Sequence, residues 1–342
     1  MKAILLYEHG GPEVLTYGDF ETPEPGYGEV QVQIKAAAMN RLDIWVRNGW
    51  PGLKLEYPHI LGADGAGIVS ATGGGVTQVT VGDRVVINGT LSCGRCEDCL
   101  AGRDNLCRRG GILGEDRRGT YAEYVVVPER NVLTLPEHIS FEEAAAASLV
   151  FMTAWHSLIT RGNLKPGESV LIVGAGGGVN TASIQIARLA GATVYVVGST
   201  DEKLTKAQEL GADFVINRST EDWGKAIYRM TDKRGVDVVV DNVGKATWPT
   251  SLRALARGGR LLTVGGTSGY DAQVGVNYVF GKHLSIIGST MAPHADFRTV
   301  MNLIFEGKLR AVIDRVMPME EIAAACELLE SGAVFGKLVL TP

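Results

Sequence analysis

The chain has 342 residues, 45% of them hydrophobic, and a mean hydropathy of +0.09, enough to bury a sizeable core and better suited to two domains than to one. No apolar run reaches the roughly 18 to 20 residues of a membrane span, and the opening Met1-Lys2-Ala3-Ile4-Leu5-Leu6-Tyr7 is too short for a signal peptide, so a cytoplasmic protein without membrane contact is expected. A formal net charge of -5 and the lack of any five-residue block of Lys or Arg leave a nucleic-acid backbone no obvious docking site, and a small molecule is the expected partner.

In chain order, residues 1–130 read as short strands between turn signals: Lys2 to Leu6, Val30 to Ala36, Gly65 to Val69, Asp83 to Ile87 and Tyr121 to Val127. This half reads as all-β and barrel-like. Ser140-Phe141-Glu142-Glu143 then spells a capping box before an alanine-rich run, a helical entry into a second domain. From Ser169 the pattern alternates strand and helix: Ser169 to Val173, Asn180 to Ala190, Thr193 to Gly198, Asp201 to Leu210, Val236 to Asp241, Trp248 to Leu255 and Gly259 to Val264. The alternation predicts a doubly wound parallel sheet. Helical segments near Val300 to Phe305 and Met319 to Ser331 follow, and a last strand, Lys337 to Leu340, is expected to return to the first domain. The expected division is 1–150 with 292–342 against 151–291.

The strand Val170-Leu171-Ile172-Val173 runs through Gly174-Ala175-Gly176-Gly177-Gly178-Val179 into an apolar-periodic helix. Glycines in that turn let the backbone approach a pyrophosphate, which the free N–H groups and positive end of the helix dipole attract. Relative to G-x-G-x-x-G, Ala175 holds the first place, Gly177 the middle one and Asn180 the last, where loosened helix–strand packing is expected. At the end of the next strand an acid would bind the ribose 2′-hydroxyl of NAD; here stands Gly198, followed by Ser199, Thr200 and Lys203, with Arg218 after the third strand. These groups can face a 2′-phosphate, so NADPH is favoured over NADH. The plain alternative makes Lys203 a solvated helix charge and Ser199 or Thr200 an N-cap.

Four of the five cysteines, Cys93, Cys96, Cys99 and Cys107, crowd into one segment, close enough to converge on one tetrahedral zinc with no open position. Such a zinc is structural, clipping the loop 91–108, which has too few large apolar residues to order itself by burial. An iron–sulfur site is less suited, since the fourth cysteine is too distant for the ferredoxin run and lacks its following proline. Cys326 falls in an apolar helical pattern and reads as a small buried side chain.

These features together resemble the medium-chain dehydrogenase/reductase superfamily over essentially the whole chain: a GroES-like half, a four-cysteine lobe, a Rossmann half and a returning tail. The motifs that carry the resemblance are Ala38-Met39-Asn40-Arg41-Leu42-Asp43, Leu61-Gly62-Ala63-Asp64-Gly65-Ala66-Gly67, Gly82-Asp83-Arg84-Val85, Thr153-Ala154-Trp155 and Asp241-Asn242-Val243-Gly244. In the zinc alcohol dehydrogenases of this family, the catalytic metal is held by a cysteine in the first motif, a histidine in the second, a nearby acid, and a cysteine before the Thr153 motif. The matching positions here are Asn40, Ala63, Asp64 and Leu149. One carboxylate does not hold a catalytic zinc, and Asn40 is also what the quinone oxidoreductase and enoyl reductase branch carries, a branch that works without metal and usually with NADPH. The resemblance further implies Arg41 near the cofactor phosphates, Thr153 near the nicotinamide, and Asn242, Val243, Gly244, Gly265 and Gly266 along the cofactor's nicotinamide half. It also implies a homodimer or homotetramer, with Leu284 to Ser289 as the joining edge strand.

The reaction expected is hydride transfer from NADPH to the β-carbon of an alkene conjugated to a carbonyl, or to a quinone. Asn40 and Thr153 are the candidate donors to the developing enolate oxygen, and Asp43, Tyr121, His156 or water the candidate proton source. Two alternatives stand beside it: a zinc-dependent alcohol dehydrogenase whose atypical site uses His59, Asp64 or His156, and an NADPH-binding structural or regulatory protein with little turnover.

Overall fold

The computed structural model describes residues 1–342. The first stretch runs β1 (Lys2–Leu6), β2 (Leu15–Asp19), β3 (Glu29–Ala38), α1 (Arg41–Asn48), β4 (Asp64–Thr72), β5 (Arg84–Ile87), β6 (Thr90–Leu91), α2 (Glu97–Leu100), β7 (Gly111–Ile112), β8 (Tyr124–Pro128), β9 (Val132–Thr134) and α3 (Phe141–Trp155). The second runs β10 (Ser169–Val173), α4 (Gly178–Leu189), β11 (Thr193–Gly198), α5 (Asp201–Glu209), β12 (Phe214–Asn217), α6 (Trp223–Met230), β13 (Val236–Asp241), α7 (Trp248–Ala254), β14 (Leu255–Thr263), α8 (Val276–Lys282) and β15 (Ser285–Gly288). The chain closes with α9 (His294–Phe305), β16 (Ile313–Pro318), α10 (Ile322–Ser331) and β17 (Lys337–Thr341). It forms two compact units, Met1–Met152 with Ala292–Pro342, and Thr153–Met291.

In the first unit a largely antiparallel sheet has the order β16-β17-β3-β4-β5-β9, with β8 also paired to β3. Strand β3 shows why. From Glu29 to Lys35 its residues alternate half-buried and buried, the period-two pattern of a sheet with one face on the core. Ala36, Ala37 and Ala38 are then all buried, in the stretch of β3 that pairs with β4 on one edge and, at Ala37 and Ala38, with β17 on the other. The core gathers Ile4, Leu6, Val32, Ile34, Val85, Ile87, Tyr121 and Leu338.

The second unit is a six-stranded parallel sheet in the order β12-β11-β10-β13-β14-β15. Val170, Leu171, Ile172, Val194, Val196, Val238 and Val239 are fully buried, as strands covered by helices on both faces require. Chain order reverses direction across β10 and β13, the switch point outside whose strand ends a ligand crevice forms in this architecture. Arg260 clamps Glu168 through two hydrogen bonds, at 2.9 and 2.7 Å, tying β14 to the turn before β10.

The expected strands and helices form with ends shifted by a few residues, the third strand expected before Arg218 is β12, and helix α6, absent from the expectation, follows it. Helix α6 starts where the Asp222 carboxylate accepts from Gly224 and Lys225 N–H.

Candidate functional site

The candidate residues divide between the two units. In the first, the sulfurs of Cys93, Cys96, Cys99 and Cys107 all lie within 4.8 Å of one another. Separations of 3.9, 3.4 and 3.7 Å among them match the roughly 3.8 Å that Zn–S bonds of about 2.3 Å require at tetrahedral corners. Backbone N–H groups, that of Arg95 foremost, lower the Cys93 thiol to about 6, while burial raises Cys99 to about 11. A divalent cation removes that conflict by holding all four as thiolates. The donor set fits zinc and leaves no open position. Asp104, inside the same loop, accepts from the N–H of His294 at 2.6 Å and so fastens the lobe to the start of α9.

The second cluster is built by register. Strand β17 runs antiparallel to β3 with Val339 opposite Ala38, and Met39 N–H donates to Leu338 at 2.9 Å, which brings Lys337 beside Asn40. On the other flank of β3, Ala38 faces Asp64 of β4. Three strands thus converge Lys337, Asn40 and Asp64 in a space where they are 3%, 7% and 0% exposed. Lys337 Nζ donates to Asp64 Oδ2 at 2.8 Å and to Asn40 Oδ1 at 2.6 Å. Asn40 Nδ2 donates to Asp64 Oδ2 at 2.8 Å and to the Ala38 carbonyl at 3.3 Å. Leu149 N–H reaches Asp64 Oδ1 at 2.7 Å. Asn40, Asp64 and Leu149, three of the four positions matched to metal ligands by sequence, therefore bind one another and an ammonium. In the sequence Lys337 marks only the start of a returning strand; the signal for its role is a cation inside an otherwise apolar strand, since buried lysines need a partner.

Asp43 extends the network. Its Oδ2 accepts from Asn40 N–H and from the Tyr121 hydroxyl, both at 2.6 Å, closing the start of α1. Burial dominates and raises its carboxyl to about 6, against the lowering effect of Tyr121, Asn40 and Lys337. Gly62 is needed beside it: its φ is +101°, and a Cβ there would lie 2.5 Å from the Tyr121 ring. His59, considered for a second metal, is bonded through Nε2 to the Gly114 carbonyl at 3.0 Å, and the four cysteines are the one group of three or more such donors that converges in the chain. Arg41, at the start of α1, is half-buried, and burial lowers its guanidinium from the ordinary value.

In the second unit Ala175, Gly176 and Gly177 form the turn from β10 into α4, and Gly178 and Val179 open that helix, whose first N–H groups have no acceptor within it. Where its place in the motif led to an expectation of loosened packing, Asn180 instead hydrogen-bonds across this turn. Its Nδ2 donates to Val173 and Gly174 carbonyls at 3.2 and 2.8 Å, and its Oδ1 faces Asn242 Nδ2 at 3.5 Å. Asn242 Oδ1 in turn accepts from Val264 N–H at 2.9 Å, so the ends of β10, β13 and β14 are laced together at the switch point. Asp241, fully buried, accepts from Val243 and Gly244 N–H and from the Thr247 and Ser251 hydroxyls, shaping the loop after β13. The loop after β14 contains Gly265, whose carbonyl accepts from Thr263 at 3.0 Å, and Gly266. Thr153 is 4% exposed, and its hydroxyl has no partner.

At the end of β11, Gly198 leaves no room for a side chain: a Cβ would meet Leu204 at 2.7 Å and Ala175 at 3.1 Å. Thr200 caps α5 by accepting from Lys203 N–H, as its plain reading expects. Ser199 follows Gly198 and accepts from the Ser219 hydroxyl through its carbonyl. Arg218, whose N–H bonds to Gly198 at 2.9 Å, is exposed and its guanidinium pairs with no acid.

Residues 26–137 match the model of the alcohol dehydrogenase GroES-like domain, and residues 178–306 that of zinc-binding dehydrogenase. Fold and sequence together make the chain a member of the medium-chain dehydrogenase/reductase superfamily, an oxidoreductase of the zinc-type alcohol dehydrogenase-like kind. It is 34% identical over 343 residues to the alcohol dehydrogenase of Geobacillus stearothermophilus, covering 99% of each chain. It superposes on the crystal structure of an NAD-dependent alcohol dehydrogenase with a TM-score of 0.96 at 48% identity, over 100% of both chains. A crotonyl-CoA carboxylase/reductase in complex with NADP gives a TM-score of 0.93 at 25% identity, over 100% of this chain and 94% of that one.

Proposed function

We propose that this protein is an NADPH-dependent reductase of carbonyl-conjugated alkenes or quinones that works without a catalytic metal and keeps one structural zinc in its cysteine lobe. The observation that carries the reading is the Asn40–Asp64–Lys337 cluster: one carboxylate, one amide oxygen and a buried ammonium are not a zinc ligand set. The likeness to a crotonyl-CoA carboxylase/reductase, whose name describes reduction of a conjugated alkene, supports the substrate class.

A bound nicotinamide supplies the hydride. The turn at Ala175–Val179 offers N–H groups to its phosphates, and Arg218 beside Gly198 offers an unpaired cation to a 2′-phosphate. Both hydrogens of the Asn40 amide are engaged with Asp64 and Ala38, so Asn40 could reach a substrate oxygen only by giving one up. The Thr153 hydroxyl has no such commitment and is assigned to the oxygen on which charge develops. Asp43 is assigned the proton, since both of its donors fall on Oδ2 and burial brings its carboxyl to about 6.

A second reading, an NAD-dependent alcohol dehydrogenase, is favoured by the 48% identity to a protein so described. Zinc per chain by elemental analysis, with NADPH oxidation on a conjugated enone and a plain aldehyde before and after mild chelation, separates the two. One zinc and chelator-resistant enone reduction are expected; two zincs with chelator-sensitive aldehyde reduction would replace the proposal by the alcohol dehydrogenase.

The oligomer proposed is a homodimer or dimer of dimers joined at β15. That strand ends its sheet, and Ile286 on it, with Tyr270, Val276 and Phe280 in the same unit, is exposed.

A further inference from the structure

Asn180 stands third in α4, after Gly178 and Val179, and side chains of a helix lean back toward its start, so the amide reaches the turn that precedes it. Its Nδ2 donates to the carbonyls of Val173, the last residue of β10, and Gly174, the first of the turn, at 3.2 and 2.8 Å. Carbonyls only accept, so this end of the amide must be NH2, and Oδ1 is left to face Asn242 Nδ2 at 3.5 Å. The far end gives the same orientation independently: Val264 N–H donates to Asn242 Oδ1 at 2.9 Å, which leaves Nδ2 of that amide for Asn180. Thr267 N–H, farther along the loop after β14, donates to the Asn242 main-chain carbonyl at 3.2 Å. Two side chains therefore form one directed run of hydrogen bonds from the end of β10 to the loops after β13 and β14. A glycine at position 180, as the motif prescribes, would remove its first link. The run crosses the switch point, where this architecture seats a dinucleotide with its pyrophosphate on the turn after the first strand and one nucleotide half on each side of the crevice.

We propose that Asn180 is a positioning residue that, through Asn242, transmits the seating of the pyrophosphate-bearing half of a nicotinamide dinucleotide to the loops after β13 and β14, on the side of the nicotinamide half. The proposal shares with the function above only that such a dinucleotide binds, and depends neither on the acceptor nor on the choice of NADPH over NADH.

The test uses the full-length, zinc-loaded protein and the variants N180A, N242A and N180A/N242A, with no acceptor substrate present. Dissociation constants are measured by calorimetry for NADPH and for 2′-phospho-ADP-ribose, which keeps the adenine half and the pyrophosphate but lacks the nicotinamide; NADH and ADP-ribose are run beside them. Hydrogen exchange over residues 264–267 is followed in each protein with and without the fragment. We expect each single variant to weaken the whole dinucleotide by about 3- to 10-fold, the net worth of one hydrogen bond, and to leave the affinity for the fragment unchanged. The double variant should bind no worse than either single one, since both remove the same link. In wild type the fragment slows exchange over 264–267, and in N180A and N242A it does not. Equal losses for fragment and dinucleotide, losses that multiply in the double variant, or the same protection of 264–267 in wild type and N180A would each overturn the proposal. N242A carries the comparison by itself if N180A does not fold. Tighter binding of NADH than of NADPH counts against the cofactor choice made above and not against this proposal, which NADH and ADP-ribose then test in the same way.

Discussion

At the scale of single residues, two charged groups carry most of what is specific to this chain. Asp43 has a carboxyl pushed up to about 6 by burial, so the folded state holds its proton more tightly than the unfolded one, where the ordinary value is 3.8. Stability from this group is fully present below the unfolded value and is lost as pH rises through about 6. D43N, neutral throughout, is therefore expected to gain on wild type between about pH 4 and pH 6, by a difference on the order of 3 kcal/mol at most; parallel denaturation curves across that window would refute the assignment. Arg218 belongs to cofactor choice. If it meets a 2′-phosphate, R218A should raise KM for NADPH by roughly 10- to 100-fold, the worth of one charge-assisted hydrogen bond, and leave KM for NADH unchanged. Equal effects on both cofactors in steady-state kinetics would remove Arg218 from the site. Gly198 and the glycine turn were legible in sequence because a strand–turn–helix context gives their chemistry locally. Lys337 was not, because its meaning depends on a strand pairing about 300 residues away in the chain.

Among the elements, the cysteine lobe is the clearest case of local spacing dictating local structure. Its helix α2 has four residues and no buried side chain, and its strands β6 and β7 have two residues each. Burial alone cannot order such a segment, so metal binding and folding should be one event there. Removing the zinc with a thiol-reactive mercurial plus chelator is expected to release one equivalent, lower the unfolding midpoint by several degrees and open 91–108 to proteolysis. An unchanged cleavage pattern would show that the lobe holds without metal. The helix from Phe141 was equally legible, since Glu143 N–H does donate to Ser140 Oγ at 3.1 Å. Asn180 departs from the motif-based expectation for a physical reason. Motif logic weighs only the bulk added at the third glycine position, whereas the folded turn presents two strand-end carbonyls that an amide of that length can cap.

For the whole molecule, the exposed edge at β15 makes association testable. Placing a charge there, as in I286K, is expected to yield monomer by light scattering while the circular dichroism stays that of wild type; an unaltered mass would move the interface elsewhere. Sequence by itself determined the two architectures, the parallel sheet, the crowding of four cysteines and the glycine turn between β10 and α4, because each is encoded by periodicity or spacing within a few dozen residues. It also places Asn40, Ala63 and Leu149 at positions where the family resemblance implies metal ligands. Tertiary structure alone decided what stands in their place. The pairing of β17 with β3 and of β3 with β4 brings a cation from the end of the chain onto Asn40 and Asp64, and strand register over such separations is set by the packing of the entire core, which no local pattern records.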